Sequence, residues 1–275
     1  MITASIVLYN TDLNMLMNVI TSYSPREGRY LYLIDNSPVE NSHYRELSSE
    51  FIFYYFMGTN NGYGAGHNVA LREAIRINSK YHIVLNPDLQ FKSSVIDALC
   101  LFADQNISVG QIMPKILSPQ GNIQYLCKLL PTPIDLIFKR FLPKKISKKI
   151  TYRFQLMFAD YDRIMDIPYL SGCFMFFRVE ALKDIGLFDE RFFMYPEDID
   201  ITRRMHEKYR TVYFPQVSII HAHAASSYHD KKMLKIHVLN MIKYFNKWGW
   251  VFDSKRRKIN KTILQKLNYK NRGHK

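Results

Sequence analysis

Cysteine is scarce in this 275-residue chain: Cys100, Cys127 and Cys173 are odd in number, far apart and in no Cys-x-x-Cys spacing. That excludes a disulfide framework and a zinc knuckle and fits a reducing cytosol. No segment reaches the ~20 consecutive apolar residues that span a bilayer. Met1-Ile2-Thr3-Ala4 runs straight into a β-like stretch without a basic leader, so a secretory signal is not expected. Internal repeats and low-complexity tracts are absent, and so are Gly-x-Gly-x-x-Gly and the Walker A spacing, which sets aside ordinary dinucleotide and P-loop chemistry.

Acids are missing from two stretches. Between Asp135 and Asp160 stand Lys139, Arg140, Lys144, Lys145, Lys148, Lys149 and Arg153; after Asp253 come Lys255, Arg256, Arg257, Lys258, Lys261, Lys266, Lys270, Arg272 and Lys275. These sixteen positive charges exceed the net charge of +14, which leaves the remaining chain at about −2. A near-neutral globule with two basic segments points to a local anionic partner surface. The charge avoids the strand ends where a site is expected, and no nucleic-acid-binding motif is present, so nucleic acid is not the expected partner.

What is present is the composition of a folded protein, 47% hydrophobic and 23% charged, with nineteen Tyr and eighteen Phe. Ser5–Tyr9, Tyr30–Ile34, Phe51–Phe56 and Tyr81–Leu85 read as strands. Leu13–Tyr23, Val69–Asn78 and Ser94–Ala103 read as helices. That alternation predicts βαβ units and a largely parallel sheet, in which ligands bind beyond the carboxyl ends of the strands. Asp35 and Asp88 both stand where a strand ends. In the second half, strands are expected in 107–117, at Tyr169–Val179 and at Thr211–Ile220, with a short helix at Glu180–Ile185. Leu234, Val238, Met241, Ile242, Phe245 and Trp248 recur at helical spacing, which predicts an amphipathic helix.

Three local patterns carry chemistry. Glu197-Asp198-Ile199-Asp200 sets three carboxylates between an aromatic run and Arg203-Arg204. Carboxylates on an apolar wall have raised pKa values and suit proton abstraction, although acids also simply open helices. Asn60-Asn61-Gly62-Tyr63-Gly64-Ala65-Gly66-His67-Asn68 places three of eleven glycines within five residues before a helix. It is either a backbone cradle for an anion or a plain turn. Asn86-Pro87-Asp88 follows a buried strand, and its carboxylate is a hard ligand for Mg²⁺ or Mn²⁺ or the cap of a turn. His221 and His223 could add an imidazole.

In order and spacing, SIVLYN, LIDNSP, NNGYGAGHNVALREA, IVLNPDLQF, LSGCFMFFRVEALKDIGLFDERFFMYPEDIDITRRM and IIHAHAASS resemble the bacterial family 2 glycosyltransferases, in particular their rhamnosyltransferase-like branch. The resemblance covers roughly residues 2–230. It implies a GT-A fold, an α/β architecture with a Rossmann-like, mostly parallel central sheet, in which 1–105 form a nucleotide-sugar half and 106–228 an acceptor half. It also implies Asp198 as general base beside Glu197, and a donor site built from Tyr9, Asn10, Asp35 (at the base), Asn36, Asn60, Gly62, Gly64, Gly66, Asn68, Asn86 and Asp88. Asp88 and His221 would hold Mg²⁺ or Mn²⁺, with Gly172, Asp200, Arg203 and His223 on the acceptor side or in support. One departure is Asn86-Pro87-Asp88, which carries one acid where many relatives carry two; this weakens metal binding in the absence of nucleotide.

The expected reaction is inverting transfer of a sugar, L-rhamnose from dTDP-rhamnose or else a hexose from a UDP-hexose. The expected acceptor is a hydroxyl of a polyprenyl-diphosphate-linked saccharide of O-antigen or capsule synthesis. Residues 229–275, an amphipathic helix with a basic tail, are expected to hold the enzyme at an anionic membrane, at the inner face of the bacterial inner membrane. A sugar-1-phosphate nucleotidyltransferase would need a basic glycine-rich loop near the N-terminus, where Thr11-Asp12 stands instead. A non-enzymatic binder of anionic polymers is the competing reading of the charge.

Overall fold

The computed structural model describes residues 1–138, 142–222 and 231–269, with the side chains of 231–233 excepted. Lys139, Arg140, His223, Lys270, Arg272 and Lys275, named above, lie outside the described residues.

A mixed sheet organises the chain. Strands β1 (Ile2–Leu8), β2 (Arg29–Asp35), β3 (Ile52–Phe56) and β4 (Tyr81–Leu85) are mutually parallel, in the order β3-β2-β1-β4. The sheet continues through β10 (Phe174–Arg178), which is antiparallel to both β4 and β6 (Val109–Leu117). It then passes to β11 (Arg210–His221), parallel to β6. The parallel half matches expectation; the antiparallel strand at the centre does not announce itself in a sequence.

Side-chain alternation explains the layers. Leu31, Leu33, Ile83, Leu85, Phe174 and Phe176 face the main core with helices α1 (Leu13–Tyr23) and, further along, α4 (Ser94–Gln105). Tyr32, Ile34, Val84, Met175 and Phe177 face the other side, under α3 (Tyr63–Arg76), α7 (Val179–Ile185) and α8 (Glu197–Lys208). Because the sheet is covered on both faces, its strands read as near-continuous apolar runs.

Three elements differ from expectation. α3 begins at Tyr63, so Gly64 and Gly66 lie inside the helix rather than before it. The stripe predicted for an interfacial helix is present in α9 (Lys231–Trp248), but Met241 and Phe245 are buried in the main core. Part of what looked like a basic tail forms a capped helix, α10 (Ser254–Lys266), with Asp253 accepting from the Arg256 N–H and Ile263 buried in the same core. Both helices bury apolar faces against protein, which sequence periodicity cannot tell from burial in lipid.

The segment between β6 and β10 adds a two-stranded ribbon, β7 (Cys127–Lys128) with β9 (Tyr169–Leu170), and the helices α5 (Pro133–Leu136) and α6 (Lys144–Phe154). β5 (Leu89–Gln90) pairs antiparallel with the end of β11.

Candidate active site

The pairing of β5 with β11 sets His221 opposite Leu89, and the Ala222 N–H donates to the Asp88 carbonyl at 3.0 Å. Asp88 and His221, 133 positions apart in sequence, therefore meet: His221 Nε2 lies 3.2 Å from Asp88 Oδ2. Gln124 fixes the ring. Its side-chain N–H donates to the His221 carbonyl at 2.8 Å, which turns Gln124 Oε1 toward His221 Nδ1 at 3.0 Å. This network sets Gln124 Oε1 as the acceptor for an Nδ1–H and directs Nε2 at Asp88 Oδ2. A carboxylate oxygen and an imidazole nitrogen side by side are both able to ligate a cation. Asp88 Oδ1 is also buried without a hydrogen-bond partner.

The donor set therefore fits a hard divalent ion whose remaining ligands are phosphate oxygens and water. Among the described residues no cluster of three or more His, Cys, Asp or Glu forms a self-sufficient metal site.

The acidic run opens α8 as the helix-start reading expects, yet it is buried. Asp198 Oδ2 accepts from the Gly172 N–H at 2.9 Å and the Tyr169 hydroxyl at 3.3 Å, and Oδ1 from the Ile199 N–H at 2.8 Å. Burial pushes its pKa up to about 6, while Lys128 and these donors pull the other way. Glu197 is raised well above the usual carboxylate range by burial and then by the neighbouring Asp198 charge, and its Oε2 is buried without a partner. Adjacent carboxylates in unlike environments thus divide: Asp198 ionises near neutrality and Glu197 keeps its proton.

Tyr63 joins the two groups. Its hydroxyl lies 2.7 Å from the Gly172 carbonyl and 3.0 Å from Asn86 Oδ1, so one ring touches both the residue that binds Asp198 and the loop that carries Asp88. Burial and then nearby Cys173, Glu197, Asp198 and Asp88 raise its pKa well above 10, which keeps it a neutral hydrogen-bonding group. Cys173 and Gly172 lie on the same path, with the Asn86 N–H donating to the Cys173 carbonyl at 2.9 Å.

Other expected residues occupy the strand tips or act elsewhere. Tyr9 and Asn10 are exposed at the end of β1, and the Asn10 N–H donates to Ser37 Oγ at 2.9 Å. Asp35 is fully buried; its oxygens accept from the Ser37 N–H at 2.9 Å and the Tyr54 hydroxyl at 2.8 Å. Asn36 is buried and donates to the Gly62 carbonyl, and Asn60 Oδ1 caps the turn by accepting from the Gly62 N–H.

The glycines are required by packing within the chain. Gly62 has φ +90°, and a Cβ there would overlap the Phe193 carbonyl oxygen. A Cβ on Gly64 would come 2.9 Å from Phe188, and one on Gly66 2.7 Å from Val7. The anion cradle is thus replaced by close approach of α3 to β1 and to the segment leading into Glu197.

Asn68, expected at the donor, and Asp200 and Arg203, expected on the acceptor side or in support, bind other side chains and carbonyls of the chain itself. Asn68 accepts from the Phe188 N–H and donates to the Phe188 carbonyl and to Glu190, which uses both of its N–H bonds. Asp200 binds Arg204, Lys247 and the Trp248 indole N–H, at 2.9, 2.6 and 2.7 Å. Arg203 is buried, grips Asp253 through two N–H groups at 2.7 and 3.0 Å and lies 3.9 Å from the centre of the Trp248 ring. Arg203 thus ties α9 and the start of α10 to α8, while Arg204 ties Asp200 to the Ile185, Gly186 and Leu187 carbonyls at the end of α7.

Sequence reasoning missed Tyr63, Gln124, Lys128 and Tyr169. Tyr63 left a signal, being the one large side chain among three glycines. Lys128 left none: it sits in a two-residue strand, its Nζ 4.8 Å from the centre of the Tyr169 ring.

No protein-family model matches the chain. An N-acetylglucosaminyl-diphospho-decaprenol L-rhamnosyltransferase of Mycobacterium tuberculosis is 31% identical over 153 residues, 54% of this chain and 48% of its own length. A low-salt glycan biosynthesis hexosyltransferase of Haloferax volcanii is 28% identical over 174 residues, 60% and 51% of the two chains. Among solved structures, GalNAc-T7 with UDP, GalNAc and Mn²⁺ superposes with a TM-score of 0.62 at 14% identity, covering 99% of this chain and 57% of its own. S. aureus TarS 1–349 with UDP-GlcNAc does so at 0.60 and 14%, covering 96% and 71%. The chain has the GT-A fold. It spans about half the length of the curated relatives it matches. Across this GT-A chain, the sheet and the paired carboxylate centres occupy residues 2–222.

Proposed function

We propose that this GT-A chain is a glycosyltransferase that moves a sugar from a nucleotide-sugar to a hydroxyl of a polyprenyl-diphosphate-linked saccharide. The observation that carries the reading is the bridge through Tyr63 between two unlike centres, a metal-competent Asp88–His221 pair and a proton-accepting Asp198. Group transfer from a nucleoside diphosphate requires that pairing: one centre for the leaving diphosphate and one for the attacking hydroxyl.

Asp88 and His221 would hold Mg²⁺ or Mn²⁺, which when bound neutralises charge on the diphosphate. The chain's own residues do the rest. Asp198 takes the acceptor proton, held ionised by the Gly172 N–H, the Ile199 N–H and Tyr169. Glu197, protonated, keeps a second negative charge away from the incoming diphosphate. The tips of β1 and β2, at Tyr9–Asn10 and Asp35–Ser37, frame the nucleoside end, with Asp35 shaping the turn through Ser37. A single base opposite the leaving group gives in-line displacement and inversion.

L-Rhamnose from a dTDP donor is the favoured sugar, supported by the mycobacterial relative; a UDP-linked hexose is the second reading, supported by the archaeal hexosyltransferase and the UDP-GlcNAc complex of TarS. A polyprenol-borne acceptor of surface-polysaccharide synthesis, O-antigen or capsule, places the work at the inner face of the bacterial membrane.

The test is direct. The full chain is incubated with Mn²⁺, dTDP-rhamnose or UDP-hexoses, and a short-chain polyprenyl-diphosphate-GlcNAc. Thermal stabilisation and product are measured for wild type and for Asp88→Asn. A nucleotide-sugar that stabilises the protein only with metal and yields product, both lost in the variant, supports the reading. No response to any nucleotide-sugar by a folded protein sinks it.

A further inference from the structure

The turn between α9 and α10 presents Val251 and Phe252 to solvent, 60% and 90% exposed, although each would gain from burial. The turn is held in place. Arg256 donates to the Gly249 and Trp250 carbonyls, Arg257 donates to the Val251 carbonyl, and Asp253 is gripped by Arg203 and caps α10. Gly249 has φ +95°, and a Cβ there would press on the Phe252 carbonyl oxygen. A braced turn that displays its two apolar residues is a built feature of this fold.

These residues adjoin a groove of about 830 Å³ between α10 and the α5–α6 segment, whose apolar wall includes Ile134, Phe138, Trp250, Val251 and Leu264. Ile134 and Phe138 are themselves exposed. Among the described residues, the groove is lined by four cations, Arg153, Arg256, Arg257 and Lys261, and by no acidic side chain. One turn back from Arg153 on the same face of α6 stands Lys149, and a turn further lies exposed Ile146. Of these cations, Lys149, Arg153, Arg257 and Lys261 have no acidic side chain within ion-pair distance among the described residues, whereas Lys255, on the same helix as Arg257 and Lys261, is paired with Glu207.

We propose that this corner, the Val251–Phe252 turn with the groove between α6 and α10, is an attachment surface for an anionic lipid bilayer. Phe252 and Val251 enter the acyl boundary, and Lys149, Arg153, Arg257 and Lys261 engage headgroup phosphates. Charge complementarity selects this occupant: interleaved apolar and unpaired cationic side chains match a surface that is apolar beneath and anionic above. No described helix is long and apolar enough to cross a membrane, so attachment here is to one face of the bilayer. The surface differs from that expected of the sequence, because Met241 and Phe245 of the α9 stripe are buried in the core. The inference stands on this surface and does not depend on the sugar-transfer reading.

The test is flotation of the full chain with vesicles of phosphatidylethanolamine and phosphatidylglycerol, against phosphatidylcholine alone, with Trp250 fluorescence as a second readout. Wild type is expected to float with the anionic vesicles, less so at high salt, with a blue shift. Lys149→Gln with Lys261→Gln should weaken partitioning roughly five-fold per cation removed. Val251→Ser with Phe252→Ser should weaken it by about ten-fold or more and abolish the blue shift. Circular dichroism and thermal melting report folding of each variant. Three results would overturn the proposal: equal binding to neutral vesicles, unchanged binding by both folded variants, or variants that convert a dimer to a monomer without altering vesicle binding.

Discussion

Asp198→Asn separates the two carboxylates of the acidic run most cleanly. The substitution keeps the shape of the side chain and its contact with Gly172 but removes the proton acceptor. A general base contributes ~10²–10⁴-fold, so the turnover rate should fall by that factor, equivalent to about 3–5 kcal/mol of barrier, while the donor dissociation constant stays within a few-fold. Glu197→Gln should behave differently. Glu197 is held protonated by burial and by the Asp198 charge, and a neutral amide resembles a neutral acid, so most of the rate should remain.

The pH profile gives an independent reading. With the Asp198 pKa pushed up to about 6, its ionised fraction is roughly 90% at pH 7 and roughly 10% at pH 5, so wild-type turnover should drop about ten-fold between them. Single-turnover transfer of radiolabelled sugar under saturating donor measures the chemical step. Loss of rate in Glu197→Gln with retention in Asp198→Asn would refute the assignment, and a flat profile from pH 7 to 5 would refute the pKa argument behind it.

Four further outcomes are expected. Gly62→Ala should cost about 3 kcal/mol or more, because its Cβ overlaps the Phe193 carbonyl at φ +90°, whereas Gly28→Ala, at φ +74° with open space around it, should cost about 1; urea denaturation compares them. Asp253→Asn should destabilise by about 3–5 kcal/mol by leaving the Arg203 guanidinium buried without its carboxylate, measured the same way.

Acid should unfold the protein through His67 and His82, both buried and linked through Ser5 Oγ at 2.7 and 2.8 Å. Burial lowers the His82 pKa to about 3 and that of His67 well below 6.5. The unfolded chain binds these protons first, so stability should fall by about 1.4 kcal/mol per pH unit per histidine as pH drops below ~6.5, levelling for His82 near its folded pKa. Thermal melts from pH 7.5 to 4 follow it, and Ser5→Ala with His82→Leu should flatten the slope. Finally, Gln124→Leu should release the His221 ring and weaken metal-dependent nucleotide stabilisation without changing the melting temperature of the apo chain by more than a few degrees.

What could be read locally in the sequence was read there. Apolar runs of five to seven residues gave β1, β2 and β4, and their ends located Asp35 and Asp88; the run through residues 211–220 located His221. Acids after an aromatic run located the buried start of α8. These features follow from backbone periodicity and from where a chain must turn, so neighbours in sequence suffice. Tertiary structure decided the rest, because it depends on partners far away along the chain. β10 is buried on both faces, Phe174 with Phe176 in one core and Met175 with Phe177 in another, and its antiparallel place is set by pairing with β4 and β6, far away along the chain. The glycines of α3 are small because Phe188, Phe193 and Val7 lie against them. Asp200 and Arg203 face Lys247, Trp248 and Asp253 about fifty positions on, so the same residue types that suggest ligand binding serve as ties. An apolar stripe shows that a helix face is buried, but only the fold shows against what: for Met241 and Phe245 of α9 it is the core, whereas the Val251–Phe252 turn faces outward.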